Sequence, residues 1–279
     1  EALSVPYDLD HDRSIQLGAS VGIALAPEHG GSADALFARA DLALHAAKAA
    51  GKGQAQIFSP DMETRVQDRV HLEAKLRAAL NTKDGLFVFY QPIVNIETGK
   101  VTAREALVRW HHPERGWISP GEFIPVAEET GLIVAIDDWV MREACRQNRA
   151  WVDAGLPRIP VAVNMSLAHL DAERMVANVR RALADSGLPP ELLDIEFTES
   201  QMLGHHDRAQ RLIEGIRALG VRMSVDDFGT GYSSLGYLTT HRFDAIKIDR
   251  SFVQGLPGQI GQLAVVQAIM GMAHALDYR

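Results

Sequence analysis

The sequence predicts an α/β fold, an incomplete (β/α) barrel preceded by a smaller α/β fragment. Two observations predict it. From residue 86 onward strand-like apolar runs alternate with helix-like ones, the pattern of a βα array. Polar residues then recur where those strands end, the place at which barrel enzymes build their sites.

The elements follow in order. Residues 16–26 read as a strand and 32–50 as a helix, with Ser32 as N-cap and Ala35, Leu36, Ala40, Leu42 and Ala46 at helical spacing. Gly51 stops that helix, a short strand spans 55–58, and Ser59-Pro60-Asp61 places a capping residue before a proline at the first helical position. Met62, Val66, Val70, Leu72, Leu76 and Leu80 carry the next helix until Asn81-Thr82-Lys83-Asp84-Gly85 breaks it. The expected organisation is therefore a fragment over 1–58, a linker helix over 59–82 and a large domain over 83–279. Within the large domain strands are predicted at 87–94, 101–110, 159–166, 192–198, 221–228 and 243–249, and helices near 133–155, 172–187, 206–220 and 261–277. Near-continuous apolar runs such as Val161-Ala162-Val163 suit a parallel sheet covered on both faces. A TIM-like barrel is the natural closure, and six strands fall two short of eight.

Composition narrows the function classes. A formal net charge of −8 without a sustained basic run argues against a nucleic-acid polymer or a polybasic membrane contact. Cys145 is the only cysteine, so no intramolecular disulfide is possible and a reducing, cytoplasmic location is expected. The longest apolar stretch, 263–276, is too short for a membrane span and contains Gln267 and His274. Opening on Glu1 and stopping at Arg279 directly after a helix pattern, the chain reads as a piece of a longer protein whose upstream part is free to carry a membrane anchor.

Strand alternation puts Glu105, Leu107 and Arg109 on one face. Asn164 closes an apolar strand, Glu196 shares a face with Asp194 and Thr198, Asp226-Asp227 end another strand, and Lys247 interrupts Ala245-Ile246-Ile248. Any one of these is ordinarily a solvated cap or a salt-bridge partner. Together they would bury several carboxylates, which demands neutralising cations or protons. Carboxylates and an amide, with no His or Cys among them, suit a hard cation such as Mg²⁺ or Mn²⁺, and adjacent Asp226 and Asp227 suit a bridged two-ion site for phosphodiester hydrolysis. Competing motifs are weaker. Asp226-Asp227-Phe228-Gly229 lacks the glycine-rich strand pair and His-Arg-Asp loop of a kinase, and Tyr232-Ser233-Ser234 lacks a nucleophile elbow. His111-His112 before Pro113 reads as structural or exposed, since neighbours on a loop do not easily face one ion.

Tyr90-Gln91-Pro92, Glu105-Ala106-Leu107 with Arg109-Trp110, Ala127-Glu128-Glu129-Thr130-Gly131, Val163-Asn164-Met165-Ser166, Thr198-Glu199-Ser200, the run 226–235 and Lys247-Ile248-Asp249-Arg250 resemble the EAL-domain cyclic di-GMP phosphodiesterases in order and spacing. The resemblance implies that Glu105, Asn164, Glu196 and Asp226 ligate one metal, and that Asp226 with Asp227 holds a second. It implies that Lys247 orients or activates the attacking water, Arg109 holds a substrate phosphate, Gln91 lines the pocket and Glu199 braces the loop 227–234. The implied reaction opens one phosphodiester of cyclic di-GMP to give linear pGpG, in a domain that pairs as a homodimer. Family members continue with a further carboxylate-bearing strand, so this stretch alone is expected to be weakly active or inactive. A catalytically dead cyclic di-GMP receptor is the competing expectation.

The N-terminal stretch resembles the last third of a GGDEF diguanylate cyclase domain, through 19–24, Ala40-Asp41-Leu42 with 43–48, and Gly51-Lys52-Gly53. Lys48 and Lys52 match nucleotide-phosphate positions there, with His45 and Lys52 in place of Tyr and Arg. Solvated lysines at a helix end explain the same residues equally well.

Overall fold

The computed structural model describes residues 7–10, 13–15, 17–167, 171–203, 206–230, 238, 242–258 and 260–279. They form two compact units, Glu1–Ala74 and Lys75–Arg279.

In the first unit, β1 (Tyr7–Asp10) pairs antiparallel with β2 (Arg13–Ile15), and β3 (Val21–Ile23) pairs parallel with β4 (Ala55–Ile57). The sequence-predicted strand over 16–26 is thus much shorter, and β1–β2 was not anticipated. Between β3 and β4 runs α1 (Ala33–Ala49), whose Ser32 cap accepts the Ala35 N–H as predicted. This helix lies so close to β3 that a Cβ on Gly22 would meet the Ala40 carbonyl oxygen at 1.9 Å. Alanines make that approach possible, Ala43 and Ala47 being fully buried. The Arg39 guanidinium gathers the unit's polar ends, donating to the His29 carbonyl and to Glu63 while stacking over Phe58.

The boundary between the units falls within α2 (Pro60–Thr82), which starts at the predicted proline. The second unit is built on one sheet of β5 (Leu86–Val94), β6 (Val101–His112), β7 (Gly116–Ile118), β8 (Val161–Asn164), β9 (Leu193–Thr198), β10 (Arg222–Phe228) and β11 (Ala245–Ile248). Its order is β11-β10-β9-β8-β6-β5, with β7 on β6. From β6 to β11 the order-determining pairs are parallel, as predicted, but β5 and β7 pair antiparallel to β6. The reason is connection length: only residues 95–100 separate β5 from β6, too few for a crossover helix. Asn95 closes that turn by accepting the Thr98 N–H and hydroxyl.

Helices α3 (Pro120–Thr130), α4 (Ile133–Asp153), α5 (Ala172–Ser186), α6 (Glu199–Leu203), α7 (His206–Ala218), α8 (Arg250–Val253) and α9 (Ile260–Ala275) complete the unit. Ile133, Ile136, Val140, Met141 and Ala144 form the buried stripe of α4, and Val161, Ala162 and Val163 are buried in β8. At the strands' N-terminal ends the fully buried Asn148 donates to the carbonyls of Ile159 and Leu192 and accepts from Arg104, which stacks on Trp151. Peptide groups that would otherwise be buried unpaired are thereby satisfied. The outer edge of β11 meets Arg279, whose N–H donates to the Asp244 carbonyl and whose carbonyl accepts the Ile246 N–H.

Candidate metal and substrate site

Parallel pairing brings the predicted polar residues together. Asn164 lies opposite Glu196, and Asp226 opposite Thr198. Glu105, Glu196 and Asp226 each present a carboxylate oxygen within 4.8 Å of the others. Lys247 Nζ sits among them, donating to Glu196 at 2.7 Å, Asp226 at 3.0 Å and Glu105 at 3.3 Å. Asn164 Nδ2 donates to the other oxygen of Glu105 at 2.8 Å.

The cluster is graded in burial. Glu196 is 2% exposed at its side chain, Glu105 and Asp226 are 19% and Lys247 is 28%. Burial pushes the Glu196 carboxyl up to about 8 against the pull of Lys247. Burial opposes the Lys247 ammonium too, but Glu196 and Asp226 outweigh it and hold its pKa above the usual lysine value. Three carboxylates facing one ammonium leave an excess of negative charge, and every donor atom is oxygen. That donor set fits a hard divalent cation.

Asp227 stands apart from this cluster. It is exposed, adopts φ +51, and donates its N–H to Asp226 Oδ1 at 2.9 Å; burial, then Asp226, raise its carboxyl pKa. Glu199 is fully buried and accepts the Gly229 N–H at 2.8 Å. Gly229 has φ +98, and a Cβ there would meet the Phe252 ring at 2.8 Å, so this position needs glycine. Tyr232, Ser233 and Ser234 lie outside the described residues.

Gln91 pairs with Glu105 across β5 and β6, and partners directly opposite share a face. Arg109 lies farther along that face, with Nη1 donating to the Val108 carbonyl. Beside it a cavity of about 280 Å³ is lined by Leu107, Arg109, Glu128, Asp137, Asn164 and Glu196, among others. His112 is structural: it is buried, and its Nδ1 accepts the N–H groups of Glu114 and Arg115 to close the β6–β7 turn.

Residues 73–279 match the EAL domain. The chain belongs to that family. It is 42% identical over 279 residues, 100% of its length, to the cyclic di-GMP phosphodiesterase NbdA of Pseudomonas aeruginosa, covering 35% of that protein. It is 39% identical over 277 residues to the bifunctional diguanylate cyclase/cyclic di-GMP phosphodiesterase MucR of the same organism, covering 99% of this chain and 40% of MucR. The solved PaMucR phosphodiesterase, in complex with c-di-GMP, superposes with a TM-score of 0.70 at 43% identity, covering 75% of this chain and 84% of that one. The chain thus spans between a third and two fifths of these two curated relatives.

Two features of this EAL domain were missed as parts of the site. Asp194, on the face of Glu196, is 9% exposed and accepts the Ser224 hydroxyl with both oxygens at 2.9 Å. Burial raises its carboxyl to about 6. Asp137 is buried on α4 and accepts the Ser166 N–H at 2.8 Å, two residues after Asn164; burial raises it to about 8. The available signal was position, since Asp137 falls in the apolar stripe of α4 among Ile133, Ile136, Val140 and Met141.

Proposed function

We propose that this EAL domain hydrolyses one phosphodiester of cyclic di-GMP to give linear pGpG, using two divalent cations, Mg²⁺ or Mn²⁺. The observation that carries the reading is the convergence of Glu105, Glu196 and Asp226, from strands β6, β9 and β10, on one point. In this reading Glu105, Asn164, Glu196 and Asp226 hold one cation, and Asp226 with Asp227 holds the second. Such ions, when bound, neutralise phosphate charge and lower the pKa of a coordinated water. Lys247, within 3.0 Å of Asp226 and 2.7 Å of Glu196, orients the attacking water and keeps a proton donor beside the developing charge. Arg109 clamps a phosphate oxygen through its planar guanidinium, and Gln91 lines the pocket. Glu199 holds the loop after β10 through Gly229, so the position of Asp227 depends on a residue outside the cluster. The names of NbdA and MucR, and the c-di-GMP complex of PaMucR, support this substrate.

The same reading extends to organisation. Residues 1–58 are the end of a GGDEF domain, 59–82 a linker helix and 83–279 an EAL domain that forms most of a (β/α) barrel, works as a homodimer and acts in the cytoplasm. Similarity to MucR reaching over 99% of the chain supports the first part, and Arg279 bonded along β11 supports the barrel. None of the described helices is long and apolar enough to cross a membrane. A Glu105→Ala change in the full-length protein tests the site: the account expects Mg²⁺-dependent hydrolysis to fall at least a hundredfold, and undiminished hydrolysis removes Glu105 from it.

A further inference from the structure

Asp137 places a carboxyl where the core calls for an apolar side chain. It lies on α4 among Ile133, Ile136, Val140 and Met141, all buried, and is itself 6% exposed. A buried carboxyl costs stability unless it is hydrogen-bonded, and an apolar residue at this point of the stripe would carry no such cost. Its partner shows what the carboxyl does. Asp137 Oδ2 accepts the Ser166 N–H at 2.8 Å, a backbone group two residues past Asn164, where β8 ends. The residue between them is held by the neighbouring strand, the Met165 N–H donating to the Glu196 carbonyl at 3.0 Å. The chain leaving β8 is thereby fixed at two consecutive peptide groups, one by β9 and one by α4. Asn164 donates its Nδ2 to Glu105 at 2.8 Å, which leaves Oδ1 as the atom able to serve a cation.

We propose that Asp137 is a positioning residue for the first cation: it holds the backbone just after Asn164 and so aims the Asn164 amide oxygen at the point shared by Glu105, Glu196 and Asp226. The proposal rests on the metal reading above and extends it to a side chain that touches neither cation nor substrate. The rotamers open to a side chain depend on its backbone angles, so a peptide group released two residues on loosens the ligand. Groups that orient metal ligands change affinity by about ten- to a hundredfold when removed. The cavity of about 280 Å³ that Asp137 lines gives room for a larger apolar side chain, so the acceptor can be removed without leaving a hole.

The test follows Mn²⁺ binding to the full-length protein by electron paramagnetic resonance, with thermal unfolding in chelator, for the wild type, Asp137→Leu, Asp137→Asn and Asn164→Ala. Asp137→Leu fills the stripe but removes the acceptor: it is expected to keep the wild-type Tm and to raise the apparent Mn²⁺ Kd about tenfold. Asp137→Asn keeps an acceptor oxygen and is expected to stay within about twofold of the wild type. In an Asn164→Ala background, Asp137→Leu should weaken binding no further, because the residue it positions is gone. Wild-type affinity in Asp137→Leu, equal losses in the Leu and Asn variants, or an undiminished second loss in the double variant each overturns the proposal. If Asp137→Leu lowers the Tm, the double variant still decides, since a general loosening of the fold weakens binding in both backgrounds. A wild type that binds Mn²⁺ and leaves cyclic di-GMP intact defeats the phosphodiesterase reading alone, and one that binds no Mn²⁺ overturns the proposal together with the metal reading.

Discussion

Replacing Lys247 by Met exposes the electrostatic design of the site. The substitution keeps a long apolar stem and deletes the ammonium that reaches Glu196, Asp226 and Glu105 at 2.7, 3.0 and 3.3 Å. Breaking a buried charge pair from one side costs about 3–5 kcal/mol, because the remaining charge is left desolvated. Glu196 qualifies for that range at 2% exposure, whereas Glu105 and Asp226, at 19%, are partly hydrated and contribute much less. Part of the cost is avoided by proton uptake on Glu196, already held up to about 8. The expected net loss is about 3 kcal/mol at pH 8 in chelator, measured by urea unfolding. Excess Mg²⁺ should stabilise the variant more than the wild type, since the cation then supplies the only positive charge in the cluster. Equal stability of the two proteins in chelator, or no added response to Mg²⁺, refutes the electrostatic reasoning.

Two other perturbations probe the supports. Glu199→Ala leaves the part-buried Gly229 N–H without this acceptor and should cost about 1 kcal/mol while lowering kcat, whereas Glu199→Gln, which keeps an acceptor oxygen, should retain most of both; equal behaviour of the two variants in unfolding and rate assays counts against the bracing role. Asp137 ionises near 4 in the unfolded chain but is held up to about 8 in the fold, so the folded state keeps a proton that the unfolded state releases. Its contribution to stability is therefore lost as pH rises from about 4 to about 8. Asp137→Asn should gain on the wild type between pH 5 and pH 9 in urea unfolding, and parallel pH profiles contradict the assignment.

Much of the site was legible because each polar residue violates the pattern of its own strand. Lys247 among Ala245, Ile246 and Ile248 and Asn164 after Val163 are visible without knowing what they pair with. The α1 cap and the Pro60 helix start were equally local. What escaped depends on long-range pairing. The strand β7 has three residues, too few for a period to show, and α3 carries Pro125 in its interior, a residue that argues against a helix until tertiary packing overrides it. Antiparallel β5 follows from a short turn rather than from its apolar pattern. The ring contacts of Phe87 and Phe89 with Trp117 arise only through two hairpin registers, and Asp137 lies in a stripe that periodicity assigns to the core. Asp227 was legible as a carboxylate, but its place outside the group formed by Glu105, Glu196 and Asp226 was not, since the sequence does not reveal its φ of +51.

The central claim concerns turnover. Incubating the full-length protein with cyclic di-GMP, in Mg²⁺ and in chelator, and resolving the nucleotides by anion-exchange chromatography tests it most directly. The account predicts stoichiometric conversion to pGpG that requires the metal; cyclic di-GMP recovered intact from a complex with the protein in Mg²⁺ would contradict it and make the domain a receptor.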